Sequence, residues 1–421
     1  MDQLISQPLT VPAPPPPPPR PQAAPRRARV LCVLPGVPLP TNTGGTIRTL
    51  SLLRALDTHF DLTALALHRA PQDAQALRRE LRGRLLTVPF NGRDPEALAS
   101  EMVALVSGRP LLYARYASRA LARGLEELLV RESFDLVHFD HLHTAQLAPL
   151  VRRLQPNARL VLDEHNVEAQ IVERMAPLAA PHMRVPLRWQ GKRLRRMESA
   201  IVSAVDAVLA CSELDAAQLL AMGARCVEVV PNGASFDPGC VASSNPPRDV
   251  IFVGSFDWWP NIDAAQVLAR EIWPLCSGRL GEARLLIVGR DPPPQVKALA
   301  GPRVVVSGRV PSVAPYLRGS RVAAVPLRAG SGTRLKILEA WAYGIPVVTT
   351  PLGAEGLPVI DGENALLATE PAAFAEALVR VCDDDALAKR LEKGGMRAAE
   401  SFHPTRIGER LARFYRDRLV P

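Results

Sequence analysis

The densest chemistry in the chain lies at residues 329–350, where AlaGlySerGlyThrArgLeuLysIleLeuGluAla runs on to a ProValValThrThr strand. A glycine-containing loop that feeds a helix leaves the first-turn N–H groups without partners. With Arg334 and Lys336 beside them, the segment is equipped to hold a diphosphate. Glu339, three residues after Lys336, could bond the hydroxyls of a ribose. A helix with a polar N-terminus and a structurally paired glutamate would read the same way, and these pieces alone do not choose between the two.

Histidines gather at two strand ends. His138, Asp140, His141 and His143 crowd the first, and three histidines within six residues also read as metal ligands, although no matched cysteine or second cluster supports that. His165, flanked by Glu164 and Glu168, follows the second and could orient an acceptor or act as a base. An N-capping Asn166 beside a structural histidine fits equally. Trp258 and Trp259 could stack on a sugar or pack in a core. The triplet Asp383, Asp384 and Asp385 contains a D-x-D, but it sits at a helix boundary and reads as a cap, so no metal is assigned. Residues 184–198 set six cations around Leu187, Trp189, Leu194 and Met197. Such a helix could lie on an anionic membrane or form a surface face with apolar arginine stems.

These groups need a frame. Apolar runs at 29–35, 61–67, 84–88, 134–139, 159–163 and 205–211 alternate with helical stretches, and the pattern restarts at 249–255, 284–289, 303–307, 321–326 and 346–350. The alternation predicts two doubly wound parallel α/β domains facing one another, with strand C-termini and helix N-termini on both sides of a cleft. The expected division is a proline-rich tail at 1–28, a first domain at 29–238, a second at 239–402 and a C-terminal helix at 403–421 packing back on the first. Turn formers at 231–239 and 243–247 mark the linker.

Composition narrows the function. With 421 residues, 47% hydrophobic and 22% charged, the chain has ample material for two cores. Its net charge of +9 is spread along the chain without interleaved aromatics, so nucleic acid is not an expected partner. The six cysteines form no C-x-x-C and read as reduced core residues. No apolar run is long enough to span a membrane and the N-terminus lacks signal-peptide order, so a cytoplasmic location is expected, with peripheral contact at the inner membrane face.

Several weak motifs recur in a known order. ThrAsnThrGlyGlyThr (41–46), PheAspLeuValHisPheAspHis (134–141), AspGluHisAsnValGlu (163–168), ValValProAsnGly (229–233), ValGlySerPheAspTrpTrpProAsn (253–261) and the 335–348 helix and strand resemble retaining glycosyltransferases of family 4, with the two-domain, Rossmann-like GT-B fold. The resemblance covers roughly residues 29 to 415. It implies a nucleotide-diphosphate sugar as donor substrate, no cofactor, and a glycan or lipid-linked acceptor in cell-surface polysaccharide or glycoconjugate synthesis. It places Glu339 on the donor ribose, and Lys336, Arg334, Gly332 and Thr333 on the diphosphate. Gly44 and Gly45 approach that diphosphate from the first domain, Gly254 and Ser255 line the donor side, and Arg309 and Val310 meet the base. His141, His138 and Asp140 are the candidates beside the reacting carbon, and His165 and Glu168 lie on the acceptor side.

The chain also departs from the family. Many members carry E-x7-E, but Ser331 stands eight residues before Glu339. The Arg and Lys expected after the first strand of the second domain are missing, which leaves phosphate charge to Arg334, Lys336 or Arg328. These departures motivate an alternative, a degenerate nucleotide-sugar-binding scaffold. A Rossmann oxidoreductase is disfavoured by the lack of a strand-flanked G-x-G-x-x-G.

Overall fold

Strands apolar on both faces must be covered on both sides, and helices alternating with parallel strands supply that cover. In the computed structural model, which describes residues 26–41, 43–90, 110, 118–234 and 247–420, two such sheets form. The proline-rich tail to residue 25 and most of the linker lie outside the described residues.

The first sheet holds β1 (Arg29–Leu34), β2 (Asp61–His68), β3 (Arg84–Pro89), β4 (Leu136–Asp140), β5 (Arg159–Asp163), β6 (Ala207–Ala210) and β7 (Val227–Val229), ordered β3-β2-β1-β4-β5-β6-β7. The second holds β8 (Val250–Val253), β9 (Leu285–Val288), β10 (Val304–Gly308), β11 (Val322–Val325), β12 (Val347–Thr349) and β13 (Leu366–Leu367), ordered β10-β9-β8-β11-β12-β13. All pairings between these strands are parallel. Strand order reverses between β1 and β4 and again between β8 and β11, and crevices open at such switch points.

The longer helices of the first domain are α1 (Gly44–His59), α2 (Pro71–Glu80), α3 (Arg119–Arg131), α4 (Glu168–Met175), α5 (Pro181–Ala204) and α6 (Glu213–Ala221). Those of the second are α7 (Trp259–Val267), α8 (Leu335–Ala342), α9 (Pro371–Asp383) and α10 (Asp385–Ala399), followed by α11 (Pro404–Arg418). Asp384 caps α10 through the Leu387 N–H at 2.9 Å, so the aspartate triplet is a helix boundary.

The last helix belongs to the first core. Gly408 lets α11 lie close on α1, where an added Cβ would come within 2.7 Å of the Ala55 Cβ. Tyr415 is fully buried among Phe60, Leu56 and Val30, and its hydroxyl meets His138 Nδ1 at 2.6 Å. His138, a candidate beside the reacting carbon, is thereby corrected. It sits mid-strand on β4, is 3% exposed, and faces the α11 contact. Tyr415→Phe leaves the His138 nitrogen unpaired in the core and is expected to cost about 1–3 kcal/mol by denaturant titration, with the donor site intact.

Candidate functional site

Asp140 and Asp163 end adjacent strands and are register partners, so two carboxylates meet at strand spacing with no solvent between them. Such a pair needs cations. Arg48, on α1 and 2% exposed, grips Asp163 with Nε at 3.1 and 3.0 Å and Nη2 at 2.5 Å. It also donates to Val230 O and Asn232 Oδ1. His165 Nε2 lies 2.9 Å from Asp140 and 3.2 Å from Asp163, and Thr49 completes the Asp140 shell.

The electrostatics follow from this packing. Burial alone would lower the His165 pKa, but Asp140 and Asp163 raise it to about 9. His165 is therefore an imidazolium at neutral pH. Burial would push Asp163 up, yet Arg48 and His165 hold it well below the carboxylate range. His141 shows the opposite behaviour: burial and then the His165 charge press its pKa well down. Its ring centroid lies 3.5 Å from that of His165, and its φ of +71° is a left-handed conformation uncommon for a side-chain-bearing residue.

Both rings face the N-terminus of α1. A Cβ on Gly45 would come within 3.4 Å of His141 Nε2 and 3.6 Å of His165 Nδ1, and that Nδ1 has no hydrogen-bond partner. Thr43 and Thr46 close a reciprocal capping box there, at 3.1 Å each way. The first turn carries no acidic residue, which leaves its positive dipole end available to an anion. Gly44 lies opposite Leu335 of α8, with 3.1 Å between an added Cβ and the leucine methyl. The two helix starts thus meet across the cleft.

The second domain presses its 330–334 loop onto the first. Ser331 Oγ accepts from Val167 N at 3.0 Å and donates to Asp215 Oδ1 at 2.9 Å. Thr333 donates to Cys211 O at 2.8 Å, and Arg174 reaches Gly330 O and Glu355 at 2.6 Å. Gly332, at φ +77°, sits so close that an added Cβ would lie 2.7 Å from His165 O and 2.8 Å from the Asn166 side-chain amide. Asn166 is not the cap of α4, because the Glu198 carboxylate takes the Glu168 and Ala169 N–H groups instead. Ser331, where a carboxylate was missing, is a domain-to-domain hydrogen-bonding residue.

The remaining expected residues divide into two groups. Lys336 Nζ reaches Asn261 Oδ1 at 2.5 Å and lies 4.4 Å from the Phe252 ring centroid. Asn261 in turn donates to Ser255 O and packs on Gly254, so Lys336, Gly254 and Ser255 converge. Glu339 is half-buried beside them and makes no side-chain hydrogen bond among the described residues. Burial, then Arg334, lowers Lys336 to about 7, and burial raises Glu339 to about 7. Arg334 braces its own loop through the Ser331 and Leu352 carbonyls, with Nε unpartnered.

Outside this convergence, Arg328 is tied to Asp263 at 2.6 and 3.0 Å. In this structure it is one arm of a partly exposed ion pair. Arg309 is exposed at the end of β10, 3.6 Å from Asp291, with Val310 next to it. Glu168 stands at the start of α4, while Glu164 is buried and pushed well up by burial and then by Glu198.

Arg48, Asp163, Asp215 and Arg174 were not singled out from sequence. The available signal was that two successive apolar strands both end in aspartate.

A metal ion finds competition here. Ligand atoms of Asp140, His141 and His165 lie within 4.8 Å of one another, but the His165 proton and the Arg48 guanidinium already serve both carboxylates. A cation would have to displace them.

Comparison with known proteins agrees with this frame. A model of "Glycosyltransferase Family 4" matches residues 43–237, and one of "Glycosyl transferases group 1" matches 247–384. The phosphatidyl-myo-inositol mannosyltransferase of Mycobacterium tuberculosis is 26% identical over 378 residues, covering 85% of this chain and 94% of that one. The D-inositol 3-phosphate glycosyltransferase of Acidothermus cellulolyticus is 31% identical over 251 residues, 53% of this chain. The match spans only 56% of that relative and 55% of the Mycobacterium leprae mannosyltransferase. Among solved structures, sucrose-phosphate synthase from Thermosynechococcus elongatus superposes with TM-score 0.67 at 19% identity, covering 93% of this chain and 98% of that one. Anabaena HepE, solved with UDP-glucose, gives 0.63 at 16%, covering 92% and 99%. On two family models, one for each domain, and on this two-sheet GT-B architecture, the chain belongs to the family 4 (group 1) glycosyltransferases.

Proposed function

We propose that the chain transfers a sugar from a nucleotide-diphosphate donor to a glycan or lipid-linked acceptor, with retention and without a metal, in cell-surface polysaccharide or glycoconjugate synthesis. The carrying observation is the meeting of the α1 N-terminus, which carries no acidic residue, with Leu335 at the start of α8, the charged His165 ring lying against Gly45 and the His165 carbonyl against Gly332. The bond from the sugar's anomeric carbon to the diphosphate breaks and a bond to an acceptor hydroxyl oxygen forms on the same face. The hydroxyl proton leaves with the diphosphate. Helix-end N–H groups and fixed cations stabilise the departing charge, the role a metal would otherwise take. Lys336, held on Asn261 beside Gly254 and Ser255, supplies the positive charge that the 254–261 loop does not carry.

Donor affinity should depend on pH in both directions. Ionised Glu339 accepts from ribose hydroxyls more strongly than the protonated acid, so affinity falls as pH drops below about 7; only protonated Lys336 carries charge for the diphosphate, so affinity also falls as pH rises above about 7. Calorimetry is expected to give a maximum near neutrality. Glu339→Gln should weaken binding about tenfold and remove the acid limb, and Lys336→Met should remove the alkaline limb. Unchanged affinity and profile in folded Glu339→Gln would take Glu339 out of the site. Donor binding with no turnover across a range of acceptors would favour the scaffold reading.

A further inference from the structure

The first domain carries a surface that the cleft does not use. α5 packs its inner face on α4 through buried Gly191, Leu194 and Glu198. At about 100° per residue, the opposite face carries Val185, Trp189, Lys192, Arg193 and Arg196. A water-facing helix face is ordinarily polar at its centre, but here Val185 is 71% exposed and Trp189 45%. Met183 and Leu178 are exposed nearby. From Pro181 to Met197 the helix has six cations and no acidic residue. Among the described residues only Arg195 has an acidic partner, Glu173. Arg193 lies over the Trp189 ring, 3.3 Å from its centroid.

An acidic protein could answer the charge, but the apolar ridge points elsewhere. A bilayer interface takes an indole and aliphatic side chains at headgroup depth while lipid phosphates meet the flanking guanidinium groups. No described helix is long and apolar enough to cross a membrane, so α5 would lie along the surface. We propose that the N-terminal half of α5, from Pro181 to Arg196, docks the protein on an anionic lipid bilayer. α4, on which α5 packs, sends Arg174 to the second-domain loop, so the docked face stands one helix away from the cleft. Docking would bring a lipid-linked acceptor to that cleft; this last step alone rests on the function proposed above.

The test needs neither donor nor acceptor, so its failure is distinct from a failure of the transferase reading. Full-length protein is sedimented with vesicles of phosphatidylglycerol in phosphatidylcholine and with phosphatidylcholine alone. Binding to the anionic vesicles only is expected, weakened about tenfold by Lys192→Glu with Arg196→Glu and by about 0.5 M salt. Val185→Ser with Trp189→Ser should weaken it similarly. All four side chains are at the surface, so melting curves should match wild type. No binding to anionic vesicles, equal binding to neutral ones, or wild-type binding by both variants would overturn the assignment.

Discussion

Replacing His165 by glutamine is expected to lower donor turnover by about 10²–10³-fold while changing donor affinity only slightly. The ring is 5% exposed, its Nε2 is committed to Asp140, and its free Nδ1 faces Gly45. Two carboxylates keep it charged in a place from which water is excluded, where a fixed cation acts strongly on charge developing at a leaving group. Glutamine keeps hydrogen-bonding capacity but not the charge. His141→Ala, measured alongside, reports the share of the neutral ring packed against it. Wild-type turnover by His165→Gln would reduce His165 to a structural residue.

The second large effect concerns stability. Arg48→Met removes the cation from Asp163 and leaves the Val230 carbonyl and Asn232 without their donor. An uncompensated buried carboxylate beside a second one should cost about 3–5 kcal/mol, read as a lowered urea midpoint at neutral pH. Asp163→Asn in the Arg48→Met background should recover part of the loss, because the charge left behind is then removed. A loss under about 1 kcal/mol in Arg48→Met would mean that His165 alone neutralises both carboxylates.

The sheets were legible because their central strands are continuous apolar runs, as in Val30 to Leu34 and Leu160 to Leu162. β7 and β13 escaped notice, being edge strands of three and two residues, too short to show a period. The 329–350 segment stood out as a candidate donor site because its glycines, cations and glutamate are contiguous. The His165 network was not, since Arg48 looks like any polar residue on a helix until β5 places Asp163 opposite it, 115 positions away. His138 illustrates the same limit: it shares a strand face with Asp140, but only Tyr415, 277 residues later, settles which way its ring is used. Ser331 looked like a lost carboxylate because the sequence does not reveal that Asp215, on the other domain, receives its hydroxyl.

Binding of a nucleotide-diphosphate sugar between the two sheets is tested most directly by thermal shift against UDP-, GDP-, ADP- and TDP-sugars. A ligand at a hundred times its dissociation constant stabilises by about 2.7 kcal/mol, enough to resolve. A shift selective for one base, reduced in Glu339→Gln, is expected. Cooperative melting with no shift from any of the four would contradict it.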